Sequence, residues 1–391
     1  MIVPTNVPEG KSVPLFNENV EIEIFNTTED EEEDARVAAA TDMAFQIIRN
    51  GKECPQTWSA FNQALSKCDP DLTTVGYMPL IQVPAHNFDT LNTVVQRCMH
   101  ISEKLGQKYT VITVDQALYF KLMDLKWSVP RYKDSVFPRL GGLHIAMNFM
   151  KCIGDHMNGS GLHEIWVESD LLGPIAAEQM LSGKHYNRGM RAHKITSQAL
   201  WRLLLPPLLE FLKDSDRETY DEIIAIKTDH VSIELALEML QTDAVRQKIA
   251  EFKATSNRDP SLVFWMSYLD MVSTLLMFTR AERDGIWDLY LYAFRCMLPW
   301  FFRYDHTNYA RWGAVYLADA TQLPAEILQE FRAGNFVVKQ SNAKYNQVDP
   351  DQSQEWLNAT GKKGGGIVGI TRTPTALSRW SLSYSLRSHI S

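Results

Sequence analysis

The stretch Tyr109-Thr-Val-Ile-Thr-Val-Asp115 decides the predicted fold. It predicts a β-strand that ends in a lone carboxylate. The carboxyl ends of central strands are where α/β sheets place reactive groups, so Asp115 is the first candidate functional residue. The alternative is that Asp115 caps the helix that begins at Gln116.

Length and composition indicate a globular chain. It has 391 residues, of which 45% are hydrophobic and 22% are charged, and its net charge is -8. Such a chain buries a sizeable core, and its charge excludes a protein that coats nucleic acid over its whole surface. Neither a signal peptide nor an uninterrupted apolar span of bilayer length is found, which predicts a soluble, intracellular protein that contacts no membrane. Within the cell, we expect the protein to be located in the nucleus rather than in the cytoplasm.

The first third of the chain alternates strand and helix. Strands are predicted at 20–25, 75–83, 109–115 and 136–140, with helical spacing between the later ones. This order predicts an α/β core with a mostly parallel or mixed sheet. From 145 to about 328 almost only helical spacing is found, so the chain as a whole is predicted to be helix-dominated. Asp349-Pro350 then predicts the start of one more helix, which carries Glu355.

The predicted organisation has five parts. An N-terminal strand with helices is followed by part of the α/β core, a large all-α insertion, a final core helix and a Gly/Ser/Arg-rich tail. Their predicted ranges are 1–70, 71–144, 145–345, 346–362 and 363–391.

Asp115 and Glu355 are the predicted catalytic and metal-binding acids. Cleavage or transfer of a phosphodiester by two metal ions needs several carboxylates, because Mg²⁺ and Mn²⁺ prefer oxygen ligands. We therefore expect Mg²⁺ or Mn²⁺ if the protein is an active enzyme and no cofactor otherwise. Most glutamates on helices are exposed to solvent and have no catalytic role. This is the alternative interpretation of Glu355.

Two further groups of polar residues are candidates. A cationic, aromatic-containing segment at 183–194 could contact phosphates, although a solvated helix surface explains it as well; its cations are Lys184, Arg188, Arg191 and Lys194. A second polar group could line a catalytic crevice or could be a buried network that joins two helices. It consists of His144, Asp305, His306, Asn308 and Arg311.

From about residue 70 to 380 the chain resembles a family of uncharacterised animal proteins that are associated with mobile elements and known only as a domain of unknown function. The resemblance rests on the segments Val114-Asp115-Gln-Ala-Leu-Tyr119, Leu140-Gly-Gly-Leu-His144, Gly183 to His193, Leu298 to Arg311 and Asp351-Gln-Ser-Gln-Glu355. It names relatives rather than a reaction.

The predicted architecture also resembles cut-and-paste transposases, whose RNase H-like core is interrupted by an all-helical insertion. In that comparison Asp115 matches the second catalytic acid and Glu355 the last. The first acid has no counterpart, since Val20 to Phe25 offers only Glu21 and Glu23. We therefore expect a truncated or inactive copy, with DNA as its candidate partner. The alternatives are a non-enzymatic helical interaction module, or an active Mg²⁺-dependent nuclease that uses Glu21 or Glu23. The sequence does not indicate an oligomeric state.

Overall fold

The structure is a computed structural model that describes residues 23–363 except 52–55, 69, 77, 79, 80, 82, 229 and 256–258, together with residue 375. Helices dominate this part. Its first third contains α1 (Glu29–Gly51), α2 (Trp58–Leu65), α3 (Phe88–Lys104), β1 (Thr110–Val114), α4 (Gln116–Ser128), α5 (Pro130–Lys133) and β2 (Val136–Leu140).

The remainder is helical. It contains α6 (Gly142–His156), α7 (Leu162–Glu168), α8 (Pro174–Leu181), α9 (Tyr186–Ser215), α10 (Arg217–Lys227), α11 (Ile233–Gln241), α12 (Asp243–Thr255), α13 (Pro260–Asp284), α14 (Trp287–Arg303), α15 (Thr307–Ala320) and α16 (Ala325–Glu330). A π-helical turn at Phe331–Asn335 and an isolated antiparallel bridge between Val338 and Val348 precede the last helix, α17 (Pro350–Lys363).

The two strands lie parallel and in simple register. Thr110 pairs with Val136 and Val114 pairs with Leu140, and α4 and α5 make the crossover between them. A small apolar cluster covers the pair, with Val95 and Ile112 at its centre. Both strands were predicted from the sequence, and so was the helix that begins at Pro350.

The predicted RNase H-like α/β core is nevertheless wrong, because the sheet of the described residues has only these two strands. Residues 23–25 of the predicted first strand form a 3₁₀ turn, and residues 20–22 lie outside the described part. The described residues between 75 and 83 form no strand either. A strand requires a neighbour to satisfy its backbone, and a two-stranded pair depends on helices for its stability.

Helices α13 and α14 form the centre of the core. Asp259 caps α13 by accepting the N–H groups of Ser261 and Leu262 at 2.9 and 3.3 Å, and Gly285 ends it in the left-handed conformation at φ 71°. Its buried side chains, such as Tyr268 and Phe278, pack in the main apolar cluster. By length and composition α13 could cross a membrane, but core helices of soluble proteins pass the same test.

Buried ion pairs join segments that are distant in sequence. Arg295 pairs with Glu31 between α14 and α1, and the Nη2 of Arg280 on α13 lies 2.6 Å from the Oδ1 of Asp42 on α1. The Nη2 of Arg139 on β2 lies 2.5 Å from the Oδ2 of Asp349, just before α17. Removal of one partner would leave a buried charge uncompensated, so the last pair fixes the start of α17 beside the sheet.

Candidate functional site

Asp115 follows β1 and begins α4. Its Oδ1 accepts the backbone N–H of Leu118 at 2.9 Å, so Asp115 is the N-cap of α4. The same side chain is half-buried and lines a polar crevice of about 380 Å³ at this end of the sheet. The capping alternative from the sequence is therefore confirmed, and it does not remove Asp115 from the crevice.

A polar contact joins His144, which lines the crevice, to Asp351. The Nδ1 of His144 lies 2.9 Å from the Oδ2 of Asp351, and the His144 side chain is 36% exposed. Asp351 also accepts the backbone N–H groups of Leu143 and His144 at 3.1 and 3.3 Å. Asp351 therefore accepts two backbone N–H groups in the first turn of α6, although it lies more than 200 residues further along the chain. It also orients the imidazole of His144.

Neighbouring acidic residues shift the pKa values of both His144 and Asp351. The hydrogen bond to Asp351 raises the pKa of His144, burial opposes this shift, and the charges of Asp115 and Glu355 reinforce it. Burial alone would raise the pKa of Asp351, but its hydrogen bonds with His144, with Asp349 and with the Leu143 N–H lower it. At neutral pH this environment favours an imidazolium that is surrounded by carboxylates.

Glu355 is exposed on α17, which packs against α6 and β1. Asp115 and Glu355 therefore both lie near enough to His144 for their charges to act on its pKa. Among the residues described, no group of three or more His, Cys, Asp or Glu side chains is arranged to hold a metal ion. The Mg²⁺ or Mn²⁺ site thus gains no support from the geometry and stays a prediction. Glu21 lies outside the described residues, and so does the side chain of Glu23.

Most of the predicted polar group lines the crevice. Asp305, His306 and Asn308 line it together with His144, whereas Arg311 is exposed on α15 and is not a lining residue. His306 Nδ1 lies 3.2 Å from Asn148 Oδ1, and Asn148 donates to the His144 carbonyl at 2.9 Å. Burial, followed by the charge of Lys151, lowers the pKa of His306. This contact joins the start of α15 to α6, while Asp305, Asn308 and Arg311 are exposed.

A buried carboxylate behind the crevice was missed by the sequence analysis. Glu282 on α13 is 3% exposed, and its Oε1 has no hydrogen-bond partner among the described residues. Burial, with the nearby charges of Asp349 and Asp351, raises its pKa well above the ordinary value. A Cβ on Gly142 would overlap Glu282, so this glycine permits the close approach. Adjacent glycines at 141 and 142 were the available signal.

The four predicted cations lie on or next to α9. Lys184, Arg188 and Arg191 are exposed, and Lys194 is half-buried against Trp58. Within the described chain, none of the four has a carboxylate at ion-pair distance. The turn that carries Lys184 packs on α6, since a Cβ on Gly183 would overlap the Met147 carbonyl. The cationic surface, defined as these four residues, therefore begins beside the helix that carries His144.

The fold and the crevice define a helix-dominated protein with an acid and histidine site on a two-stranded parallel sheet. A family model for a domain of unknown function (DUF8702) matches residues 57–391, so the chain belongs to that family. No curated protein and no solved structure matches the chain. The predicted membership of a family of unknown function is confirmed, whereas the predicted animal and mobile-element associations stay predictions.

Proposed function

We propose that this protein binds the backbone of a nucleic acid along the cationic surface and acts on a phosphodiester bond at the crevice. The observation that carries the proposal is the convergence of Asp115, Asp351 and Glu355 around His144. Acids and bases of this kind, brought together from distant positions, are what proton transfer to and from a phosphodiester requires. The proposal does not depend on an RNase H-like sheet.

The roles follow from the protonation states. His144, as imidazolium, would give its Nε2 proton to the leaving oxygen as the P–O bond breaks. Asp115 or Glu355 would take a proton from the water or hydroxyl whose oxygen forms the new bond to phosphorus. Three carboxylates also repel a phosphate, so the substrate needs a countercharge. Lys151 and the imidazolium are two sources, and Mg²⁺ or Mn²⁺ supplied with the substrate is the third.

Cleavage of end-labelled DNA and RNA by the full chain tests the proposal, with Mg²⁺, with Mn²⁺ and with a chelator. Asp115→Asn keeps the helix cap, because Asn caps as well as Asp, but removes the charge. We expect Asp115→Asn, Glu355→Gln and His144→Gln each to reduce cleavage at least tenfold. Asp124→Asn, an exposed acid on the same helix α4, is the matched control. Absence of cleavage under every condition would overturn the catalytic part.

A second candidate function is nucleic-acid binding without catalysis. The observation that favours it is the exposure of Glu355, which leaves the described carboxylates without a formed metal site. Neutralising phosphates with Lys and Arg makes affinity fall steeply with salt. We expect Arg188→Gln to weaken DNA binding and to reduce the salt slope by about one unit. The exposed Arg202→Gln on the same helix should change neither. No binding at low salt would leave the helical interaction module as the remaining hypothesis.

A further inference from the structure

A second, more enclosed site lies away from the crevice. A groove of about 620 Å³ lies between the end of α1, the first turn of α2, the α9 residues 186–198 and the end of α13. Four cations line it: Arg49 from α1, Arg191 and Lys194 from α9, and Arg283 from α13. Its hydrogen-bonding side chains include Ser59, Asn187 and Gln198.

The positive charge of three of these cations is not neutralised by the described residues. None of Arg191, Lys194 and Arg283 forms an ion pair with a described carboxylate. The acid that acts on Lys194 is Asp42, but its Oδ1 already accepts from Arg280 at 2.6 Å and from the Trp58 indole at 2.8 Å. An excess of cations in a partly enclosed groove is stabilised when an anion enters it.

Lys194 lies in an environment that disfavours its own charge. Its Nζ lies 4.0 Å from the centroid of the buried Trp58 ring and 3.5 Å from the Ser59 hydroxyl. Burial, followed by repulsion from Arg283, lowers the pKa of Lys194 to about 8. A bound anion would oppose both effects, so occupancy of the groove and protonation of Lys194 are linked.

We propose that this groove binds the phosphate group of a nucleotide, either free or at the end of a nucleic acid. The guanidinium groups of Arg191 and Arg283 offer planar pairs of donors that match phosphate oxygens, and Lys194 adds a compact charge. The first turn of α2 also lines the groove, and a helix N-terminus favours an anion. This inference goes beyond the crevice and does not require that the protein cleaves a phosphodiester.

Titration calorimetry of the full chain with inorganic pyrophosphate is the first test. Loss of one charged hydrogen bond should weaken binding about tenfold, so Arg283→Gln and Arg191→Gln should each do so. Arg202→Gln, on α9 but outside the groove, should bind as tightly as the wild type. Asp115→Asn should also bind normally, which separates this site from the crevice. Equal affinity of Arg283→Gln and the wild type would overturn the proposal, as would no detectable binding of pyrophosphate.

Chemical labelling keeps the test independent of folding defects. At about pH 8 Lys194 is partly deprotonated, so an amine acylating reagent should label it, and pyrophosphate should slow that labelling at least fivefold. The exposed Lys213 on the same helix should be labelled at the same rate with and without pyrophosphate. No protection of Lys194 would contradict the site. Stronger protection by a 5′-phosphorylated trinucleotide than by its unphosphorylated form assigns the groove to nucleic-acid ends, and protection by free nucleotide alone assigns it to the soluble ligand.

Discussion

The contact between His144 and Asp351 sets the charge state of the crevice. Asp351 is a better partner than a solvated acid because two backbone N–H groups of α6 hold its carboxylate in place. Asp115 and Glu355 add attraction from two other elements. A histidine in this environment keeps its proton to a higher pH than an isolated one, which suits a general acid.

Asp351→Asn should lower the pKa of His144, because the largest cause of its elevation is lost while the burial that opposes it remains. NMR titration of the ring signals measures this, with the exposed His163 as an internal control. The raised pKa stabilises the fold at low pH, and that stability is lost as pH rises through the folded-state value. Asp351→Asn should therefore destabilise the protein more at about pH 5 than at about pH 9. An unchanged His144 titration would show that Asp351 does not control it.

Helices α4 and α6 begin at the crevice, and the residues at their starts have both a structural and a chemical role. Asp115 begins α4, and the pair Gly141-Gly142 begins α6 beneath Asp351 and Glu282. A side chain at either glycine would collide with one of these carboxylates. Close approach of a helix N-terminus to buried acids therefore depends on the absence of a Cβ.

Removal of the cap at Asp115 should cost stability only when the capping oxygen is lost. Asp115→Ala should lower the free energy of unfolding by about 1 kcal/mol, whereas Asp115→Asn should stay close to the wild type. Urea unfolding measures both variants. If Asn were as destabilising as Ala, the charge rather than the cap would stabilise α4.

Gly142→Ala should destabilise the protein by about 1–3 kcal/mol, because the new methyl group displaces Glu282 and Asp349. The matched control is Gly76→Ala, where an added Cβ meets nothing within 4 Å and φ is not positive. Thermal unfolding of the two variants compares them. Equal melting temperatures of the two variants would mean that Glu282 and Asp349 can shift without loss of stability.

The whole molecule is organised around buried charges that join its first and last segments. Glu31, Asp42 and Asp349 each pair with an arginine from a distant element, whereas Glu282 has no such partner in the described part of the chain. Placing an ionised carboxylate there is unfavourable, so folding favours the protonated form. Global stability therefore depends on pH through this residue.

Since the folded-state pKa of Glu282 is raised, the folded chain keeps a proton that the unfolded chain releases above its own pKa. The contribution of Glu282 to stability should fall by up to about 1.4 kcal/mol per pH unit in that window. Glu282→Gln should remove this dependence and gain stability relative to the wild type as pH rises from about 5 to 8. Urea unfolding at several pH values measures the difference, with the exposed Glu238→Gln as control. A constant difference between Glu282→Gln and the wild type would contradict the buried proton.

The sequence by itself determined the local structure. The strand that ends at Asp115, the strand at 136–140, the helix that starts at Pro350 and the cap at Asp115 all follow from residues within a few positions of one another. It also predicted membership of a family of unknown function, and four of the five predicted polar residues line the crevice.

The tertiary structure alone decided how these elements combine. Within the described residues the sheet has two strands, Asp351 rather than Glu355 contacts His144, and Arg283 lines a groove together with α9. Strand pairing, burial of Glu282 and convergence of charges depend on contacts between residues that are far apart in sequence, such as Arg139 with Asp349. Local periodicity contains no information about such contacts, because each is selected by the packing of the entire core.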